Sequence, residues 1–387
     1  MSREIEFAIT TIPGLEDVAA QECGGLGITI EATSSGFIRC RGKKENLTRL
    51  LLFTRTVLRV LDPIFQGNFQ SQGDLEKHLF RFSWERFLRP WQTFKILTIG
   101  RSSLASDRFL TLRIKDSIVD RLSLKQGKRP SVDTKNPDVT LTLFLGDSNV
   151  TVYRDAAGKP LSFRGYRSQA GEAPLNEVIA AGLCNILGWQ GRGVFIDPMC
   201  GSGTIAIEAA LISKGLYPQR SRPQGFAISH WPDKKAFGWQ DSAEFSPEPL
   251  HGEFCIIAAD RDPKMIKYAR QNARRAGVEM DIHFVHSPFN QLHERTAGIR
   301  SGLSSSGENH QEFILMNPPY DKRLNLQDDP GLYTDIGDTL KQQWSGAVAG
   351  VFTANGNQAK HIGLRTDRKI TIKNGPLDGR FLIYTLY

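Results

Sequence analysis

The chain has 387 residues, 40% of them hydrophobic and 23% charged, with a formal net charge of +8, the composition of a globular protein of two or three domains. It has no run of 18 apolar residues and residues 1–6 lack a signal-peptide core, so neither a transmembrane helix nor secretion is expected. The five cysteines, at 23, 40, 184, 200 and 255, are odd in number and form no Cys-x-x-Cys pair; this argues against a disulfide framework and for a reducing, cytoplasmic setting.

The charge is unevenly placed. Residues 1–170 carry 26 Lys and Arg against 18 Asp and Glu, a balance of +8, whereas residues 171–387 carry 23 of each. All of the excess lies in the N-terminal half, as in a basic module that grips a polyanion beside a neutral domain. A solvated basic face would give the same sum.

In chain order, residues 1–60 read as a small α+β unit. Ile5, Phe7 and Ile9 alternate as a strand, and Pro13 and Gly14 turn into a helix with Val18, Ala19 and Cys23 inward. Residues 28–32 and 36–40 form a hairpin. Asn46 is placed to cap a second helix carrying Leu50, Leu51, Thr54 and Leu58. Over residues 61–155, residues 94–99 read as a strand and residues 109–122 as a helix with apolar positions 110, 114, 118 and 122. Arg108, Arg113, Lys115 and Arg121 stud the flanks of that helix. Residues 139–145 and 150–153 alternate like two strands joined at Gly146-Asp147. Residues 156–173 form a linker containing Arg164-Gly165-Tyr166-Arg167, two phosphate partners and a stacking ring suited to RNA. The same residues would also pack a linker against a catalytic domain.

Residues 174–387 are organised around residues 194–210. Val194, Phe195 and Ile196 form a short apolar strand that ends in Asp197, and Gly201 and Gly203 make a tight turn. Thr204 is placed to cap the helix that Ile205, Ile207 and Leu211 continue. This is the layout of a nucleotide site in an open α/β sheet. The expected acidic residue about 20 positions further on is missing, which disfavours a dinucleotide, and Asp197 would repel a pyrophosphate but attract a cation. A second apolar run, residues 255–259, ends in Asp260, the expected acceptor for ribose hydroxyls. A third, residues 313–316, leads into Asn317-Pro318-Pro319-Tyr320. The two prolines hold an extended backbone. The Asn oxygen and a nearby carbonyl can accept from an exocyclic amine, and the Tyr ring can stack on a flipped base.

Asp197-Pro198-Met199-Cys200-Gly201-Ser202-Gly203-Thr204 resembles motif I of class I methyltransferases, and Asn-Pro-Pro-Tyr resembles the motif of those acting on base exocyclic amines. The linker, the residues Ile114-Lys115-Asp116 upstream of it and residues 374–378 widen the likeness to nearly the whole chain. It is similar to the THUMP-containing rRNA methyltransferases of the RlmL/YpsC group. The resemblance implies an α/β fold: a doubly wound, seven-stranded methyltransferase domain at 174–387, preceded by a ferredoxin-like unit at 1–60 and a THUMP-like RNA-binding domain at 61–155. It implies S-adenosylmethionine, with its amino group and sulfonium, as the cofactor. That cofactor would be held by Asp197, Cys200, Gly201, Ser202, Gly203, Thr204, Asp260 and Arg261, with Glu177 closing over it. Asn317, Pro318, Pro319 and Tyr320 would be catalytic, and Arg164, Tyr166 and Arg167 would bind RNA. The implied reaction is methylation of guanine N2 in large-subunit rRNA, in the cytoplasm and without metal. Adenine N6 methylation of RNA or DNA is the alternative chemistry, and a non-catalytic RNA-binding assembly factor the alternative class. Two departures stand out. The third strand of the fold commonly ends in a carboxylate that meets the adenine amine, but residues 284–288 have none, leaving Ser287 or a backbone group. Near Tyr320 only Asp321 could serve as a base. The proline- and aromatic-rich residues 217–253 are expected to be structured and, by the resemblance, to cover the catalytic cleft.

Overall fold

The computed structural model describes residues 4–100, 106–168, 174–223, 225–240, 252–303, 310–319 and 331–387. The chain divides into two units: residues 1–11, 20–161 and 224–244 form the first, and residues 12–19, 162–223 and 245–387 the second.

The first unit contains β1 (Ile5–Thr11), α1 (Glu16–Gly25, whose first turn belongs to the second unit), β2 (Thr29–Ser34), β3 (Phe37–Gly42), α2 (Glu45–Phe53) and β4 (Val57–Asn68). Then follow α3 (Gln72–Arg81), β5 (Thr93–Gly100), α4 (Asp107–Gln126), β6 (Ser131–Val132), β7 (Val139–Leu145) and β8 (Asn149–Asp155). All eight strands lie in one sheet, ordered β2-β3-β1-β4-β8-β7-β5-β6. Its hinge is β4. Residues Val57 and Arg59 to Leu61 pair with β1, and the strand then continues from Leu61 to Asn68 against β8. The sequence reading placed Leu58 in the second helix. Instead α2 stops at Phe53 and Thr54 is extended. The Glu22 carboxylate accepts from the amides of Arg55 and Thr56 and from the Thr56 hydroxyl, pinning the helix exit. Asn46 lies inside α2 and does not cap it: its oxygen accepts from the Lys43 amide and its Nδ2 donates to the Leu26 carbonyl.

Helix α4 buries Leu110, Ile114, Ile118 and Leu122 against Phe94, Val139, Leu141 and Leu143, the stripe expected from their spacing. Its basic flank is largely neutralised: Arg113 pairs with Glu76, Lys115 with Asp116 and Arg121 with Glu85.

The central part of the stretch expected to cover the cleft, residues 224–244, belongs to the first unit. Ile228 donates its amide to Ala156, Gln92 reaches the His230 carbonyl, and the Thr48 hydroxyl donates to the Phe237 carbonyl. Between them lies the fully buried Arg154, paired with Asp62 at 2.8 Å and Asp233 at 2.7 Å. Its guanidinium stands 3.6 Å from the Trp231 ring centre. Aromatic side chains too large to stay solvated thus wrap one buried cation.

The second unit contains α5 (Glu177–Leu187), β9 (Gly193–Asp197), α6 (Thr204–Ser213), β10 (Phe254–Asp260), α7 (Pro263–Ala276), β11 (His283–His286), α8 (Leu292–Arg295), α9 (Ala297–Ser301), β12 (Glu312–Met316), α10 (Gly331–Gln343), β13 (Val348–Thr353), β14 (Arg368–Asn374) and β15 (Leu377–Thr385). The sheet order is β11-β10-β9-β12-β13-β15-β14. The first five strands in that order are parallel; β15 runs antiparallel to both neighbours. The 3-10 turn Gln358–Ile362 is stopped by Gly363 at φ +63°, and a strand follows. The strand there is β14, an edge strand whose only buried residue is Ile372, so its apolar signal is weak. It turns into β15 at Gly375-Pro376, with Asn374 paired to Leu377. The loop before α1 also belongs to this unit: Pro13 accepts from the Lys373 amide, and a Cβ on Gly14 would lie 2.1 Å from the Thr371 carbonyl oxygen. Among the described residues no helix is long and apolar enough to cross a membrane.

Candidate active site

The strand order reverses at β9, which has β10 on one side and β12 on the other. Ligands of open α/β sheets bind outside the carboxyl ends of the strands at such a switch point. Three sequence-predicted residues mark these ends: Asp197 closes β9, Asp260 closes β10 and Asn317 follows β12.

Asp197 is fully buried, and neither carboxylate oxygen completes a hydrogen bond among the described residues. Burial, followed by the charge of Asp260, pushes its carboxyl well above the usual range; the amides of Ala206 and Met199 point towards it and offset part of this. An unpaired buried carboxylate is costly, and a cation is the ligand that would relieve it. Asp260 is tied to the glycine turn: one oxygen accepts from the Gly201 amide at 2.9 Å and the other from Asp262. A carboxylate has about four acceptor sites, so capacity for ribose hydroxyls remains. Gly201 has φ +51°, and a Cβ there would meet nothing within 4 Å, so the turn has room beside it. Gly203 has φ +88°, and its Cβ would come within 2.9 Å of the Ala269 Cβ on α7; close packing there requires glycine.

Thr204 does not cap α6. Gly203 occupies the cap position, no side chain caps the helix, and Thr204 is its buried first residue. The Cys200 thiol is buried among carboxylates. Burial, then Asp197 and Asp260, push its pKa up, so it is a neutral wall of the site and no nucleophile. Ser202 is buried in the turn, whereas Arg261 is exposed and its carbonyl meets His286 Nε2. Ser287 is fully buried and donates its hydroxyl to the Pro288 carbonyl.

After β12, the Asn317 side-chain oxygen is buried and has no hydrogen-bond partner among the described residues. Pro318 is buried and Pro319 exposed. Tyr320 and Asp321 lie outside the described residues.

The linker residues require a correction. Arg164 and Tyr166 cannot hold RNA, because both are buried in the second unit. Arg164 Nε and the Tyr166 hydroxyl donate to the same oxygen of Glu208 on α6, at 3.4 and 3.1 Å. Burial, then Glu208, raises the Tyr166 pKa well above its usual value, which keeps the phenol protonated. Arg167 donates to Glu177 and to the Leu175 carbonyl, so the Glu177 carboxylate is engaged in an ion pair. Ser168 donates its amide to Asn272 Oδ1 at 3.0 Å, and Asn272 Nδ2 donates to the Ser202 carbonyl, also at 3.0 Å. Residues 164–168 therefore brace the glycine turn and the helix that leaves it. Sequence reasoning missed Glu208 and Asn272. Both carry a retrospective signal, as lone polar residues on helix faces of Ile and Ala.

Among the described residues no cluster of three His, Cys, Asp or Glu side chains is arranged to hold a metal.

Comparison with known proteins matches this geometry. The model of the RMKL-like methyltransferase domain matches residues 164–383, the THUMP domain model residues 70–155 and the RlmL ferredoxin-like domain model residues 6–61. A "Ribosomal RNA large subunit methyltransferase K/L" from Syntrophotalea carbinolica is 34% identical over all of this chain, which spans 54% of that protein. The chain thus spans about half the length of the curated K/L relatives it matches. A "Putative RNA methyltransferase" from Synechocystis is 31% identical, covering 98% of both chains. The crystal structure of a possible methylase from Clostridium difficile 630 superposes with a TM-score of 0.81 at 26% identity, covering 100% of this chain and 99% of that one. S-adenosylmethionine is the cofactor these similarities indicate, and the residues present fit it: orphaned acceptors on Asp197 for a cation, and open space beside Gly201. The methyltransferase match takes in all three strand ends that frame the site and more than half of the sequence, so the chain belongs to the RMKL-like methyltransferase family.

Proposed function

We propose that the protein methylates an exocyclic amine of an RNA base, guanine N2 of large-subunit rRNA, in the cytoplasm. The observation that carries this is the Asn317 side-chain oxygen, buried and unpartnered at the end of the strand beside Asp197. A buried acceptor with no donor is expensive to keep, and a base amine is the donor that would satisfy it. The names of the K/L relatives support ribosomal RNA as the substrate, and the THUMP match supports RNA binding.

S-adenosylmethionine supplies an electrophilic methyl group when bound. Asp197 would hold its cationic part, the Gly201–Gly203 turn would admit it closely, and Asp260 would accept from its ribose. Asn317 Oδ1 and the Pro318 carbonyl would accept the two hydrogens of the target amine. They would thereby fix its lone pair in line and stabilise the positive charge that grows on nitrogen. Pro318 and Pro319 restrict this backbone to extended conformations, which limits the freedom of both acceptors. With the amine already oriented, deprotonation follows transfer and no strong base is required.

The test is transfer of labelled methyl to RNA from a strain lacking the protein, followed by separation of nucleosides. Label in N2-methylguanosine is expected. Label in N6-methyladenosine keeps the site and replaces the substrate. Absence of cofactor binding would leave an assembly factor as the better reading. Asn317→Ala should lower kcat by about 10²–10³-fold, as for loss of one charge-stabilising hydrogen-bonding group, with cofactor affinity unchanged. Loss of cofactor binding as well would refute its assigned role.

A further inference from the structure

Residues 171–387 carry as many acidic as basic side chains, yet one helix among them is basic. Helix α7 carries Lys264, Lys267, Arg270, Arg274 and Arg275 and no acidic residue. All five are exposed. Only Arg274 is neutralised, by Glu279 at 2.7 Å. Lys264, Lys267, Arg270 and Arg275 have no carboxylate within ion-pair distance among the described residues. Arg220 extends the row, since its guanidinium lies over Gly277 at the helix end and lines a surface depression together with Arg275.

The spacing turns these residues into a stripe. Positions 264, 267, 270 and 274 follow one another at three- and four-residue steps, so their side chains share one face along a helix about 21 Å long at ~1.5 Å per residue. Like charges at those steps repel and weaken a helix. Helix α4 has a comparable number of cations and pairs most of them; α7 leaves its repulsion uncompensated. The opposite face is already covered, with Ala269, Asn272, Ala273 and Ala276 buried. The helix therefore offers charge without apolar surface, which suits a polyanion and not a membrane. Tyr268 and Phe284 lie beneath Lys264 and Arg270 and hold these side chains outward.

We propose that α7, with Arg220, is a docking surface on the catalytic unit for the phosphate backbone of the substrate RNA. This rests on the RNA reading above and adds a contact surface outside the basic N-terminal half. It positions RNA through phosphates and reads no base.

The test is binding of protein-free large-subunit rRNA, titrated over a range of salt concentrations, to the full chain. One variant carries Lys264→Gln, Lys267→Gln, Arg270→Gln and Arg275→Gln. A control carries Lys360→Gln, Arg365→Gln, Arg368→Gln and Lys369→Gln, which removes the same charge from another exposed part of the same unit. The α7 variant should lose roughly 10²-fold in affinity near 0.15 M salt, and its slope of log affinity against log salt should fall by about 3. The control should keep most of both, and all three proteins should bind S-adenosylmethionine equally. Wild-type affinity and slope in the α7 variant would overturn the proposal, as would an equal loss in the control. If the wild-type protein itself fails to bind rRNA, the RNA reading falls and takes this surface with it.

Discussion

Two arginine-bearing segments of the catalytic unit behave in opposite ways. Residues 164–168 look like an RNA contact in the sequence, yet Arg164 is fully buried against Glu208. Helix α7 has an amphipathic pattern, yet it presents a row of exposed cations, most with no carboxylate within ion-pair distance among the described residues. The difference lies in the availability of a counter-charge inside the fold. Glu208 sits in a helix that is otherwise buried and apolar, so it had to find a cation. Nothing on α7 or its covered face could neutralise Lys264, Lys267 or Arg270.

This comparison can be broken at several points. The largest effect is expected at Glu208→Gln, which keeps the shape but removes the carboxylate charge facing the buried Arg164; urea unfolding should show a loss of about 3–5 kcal/mol. A loss below 1 kcal/mol together with weaker RNA binding would restore the linker as an RNA contact. Asp197 is the counter-example, a buried carboxylate with no cation beside it among the described residues. Its carboxyl titrates well above its unfolded value, so its contribution to stability is full below about pH 3.9 and is lost as pH rises through the raised folded value. Asp197→Asn should therefore raise the melting temperature of the cofactor-free protein at neutral pH, by about 2–4 °C per kcal/mol recovered, while abolishing cofactor binding. A lower melting temperature would mean that the carboxylate has a partner after all. Asn272→Leu leaves the buried Ser202 carbonyl without its donor, at about 1–3 kcal/mol, and releases the amide of the exposed Ser168 to water. Because it slackens the glycine turn, it should raise KM for S-adenosylmethionine more than it lowers kcat; steady-state kinetics would separate the two. Arg167→Ala removes a largely buried pair and leaves the buried Glu177 carboxylate without this donor, at about 1–3 kcal/mol. Smallest of all, neutralising the α7 stripe should change stability by no more than about 0.5 kcal/mol. For RNA affinity the ranking should invert.

The parts of the molecule that the sequence made legible share a physical property: their side chains act locally. The glycine turn, the acidic strand tips, the alternating strands β7 and β8 and the apolar stripe of α4 are all set by spacing within a dozen residues. What stayed illegible depends on partners far along the chain. Arg164 meets Glu208 across 44 positions and Ser168 meets Asn272 across 104. Residues 224–244 join a unit whose other residues end at position 161. Strand β14 was missed for a different reason, since an edge strand with one buried residue carries almost no apolar pattern.

Strand β4 has a consequence for dissecting the protein. The ferredoxin-like match ends at residue 61 and the THUMP match begins at residue 70, yet one uninterrupted 12-residue strand joins them, pairing with β1 on one stretch and β8 on the next. A fragment that begins at the THUMP boundary, residue 70, loses the β4 residues that pair with β8 and bares a row of unpaired amides and carbonyls there, an invitation to aggregate. The two modules thus share one sheet, and the boundary between two family matches is no guide to where the chain can be cut.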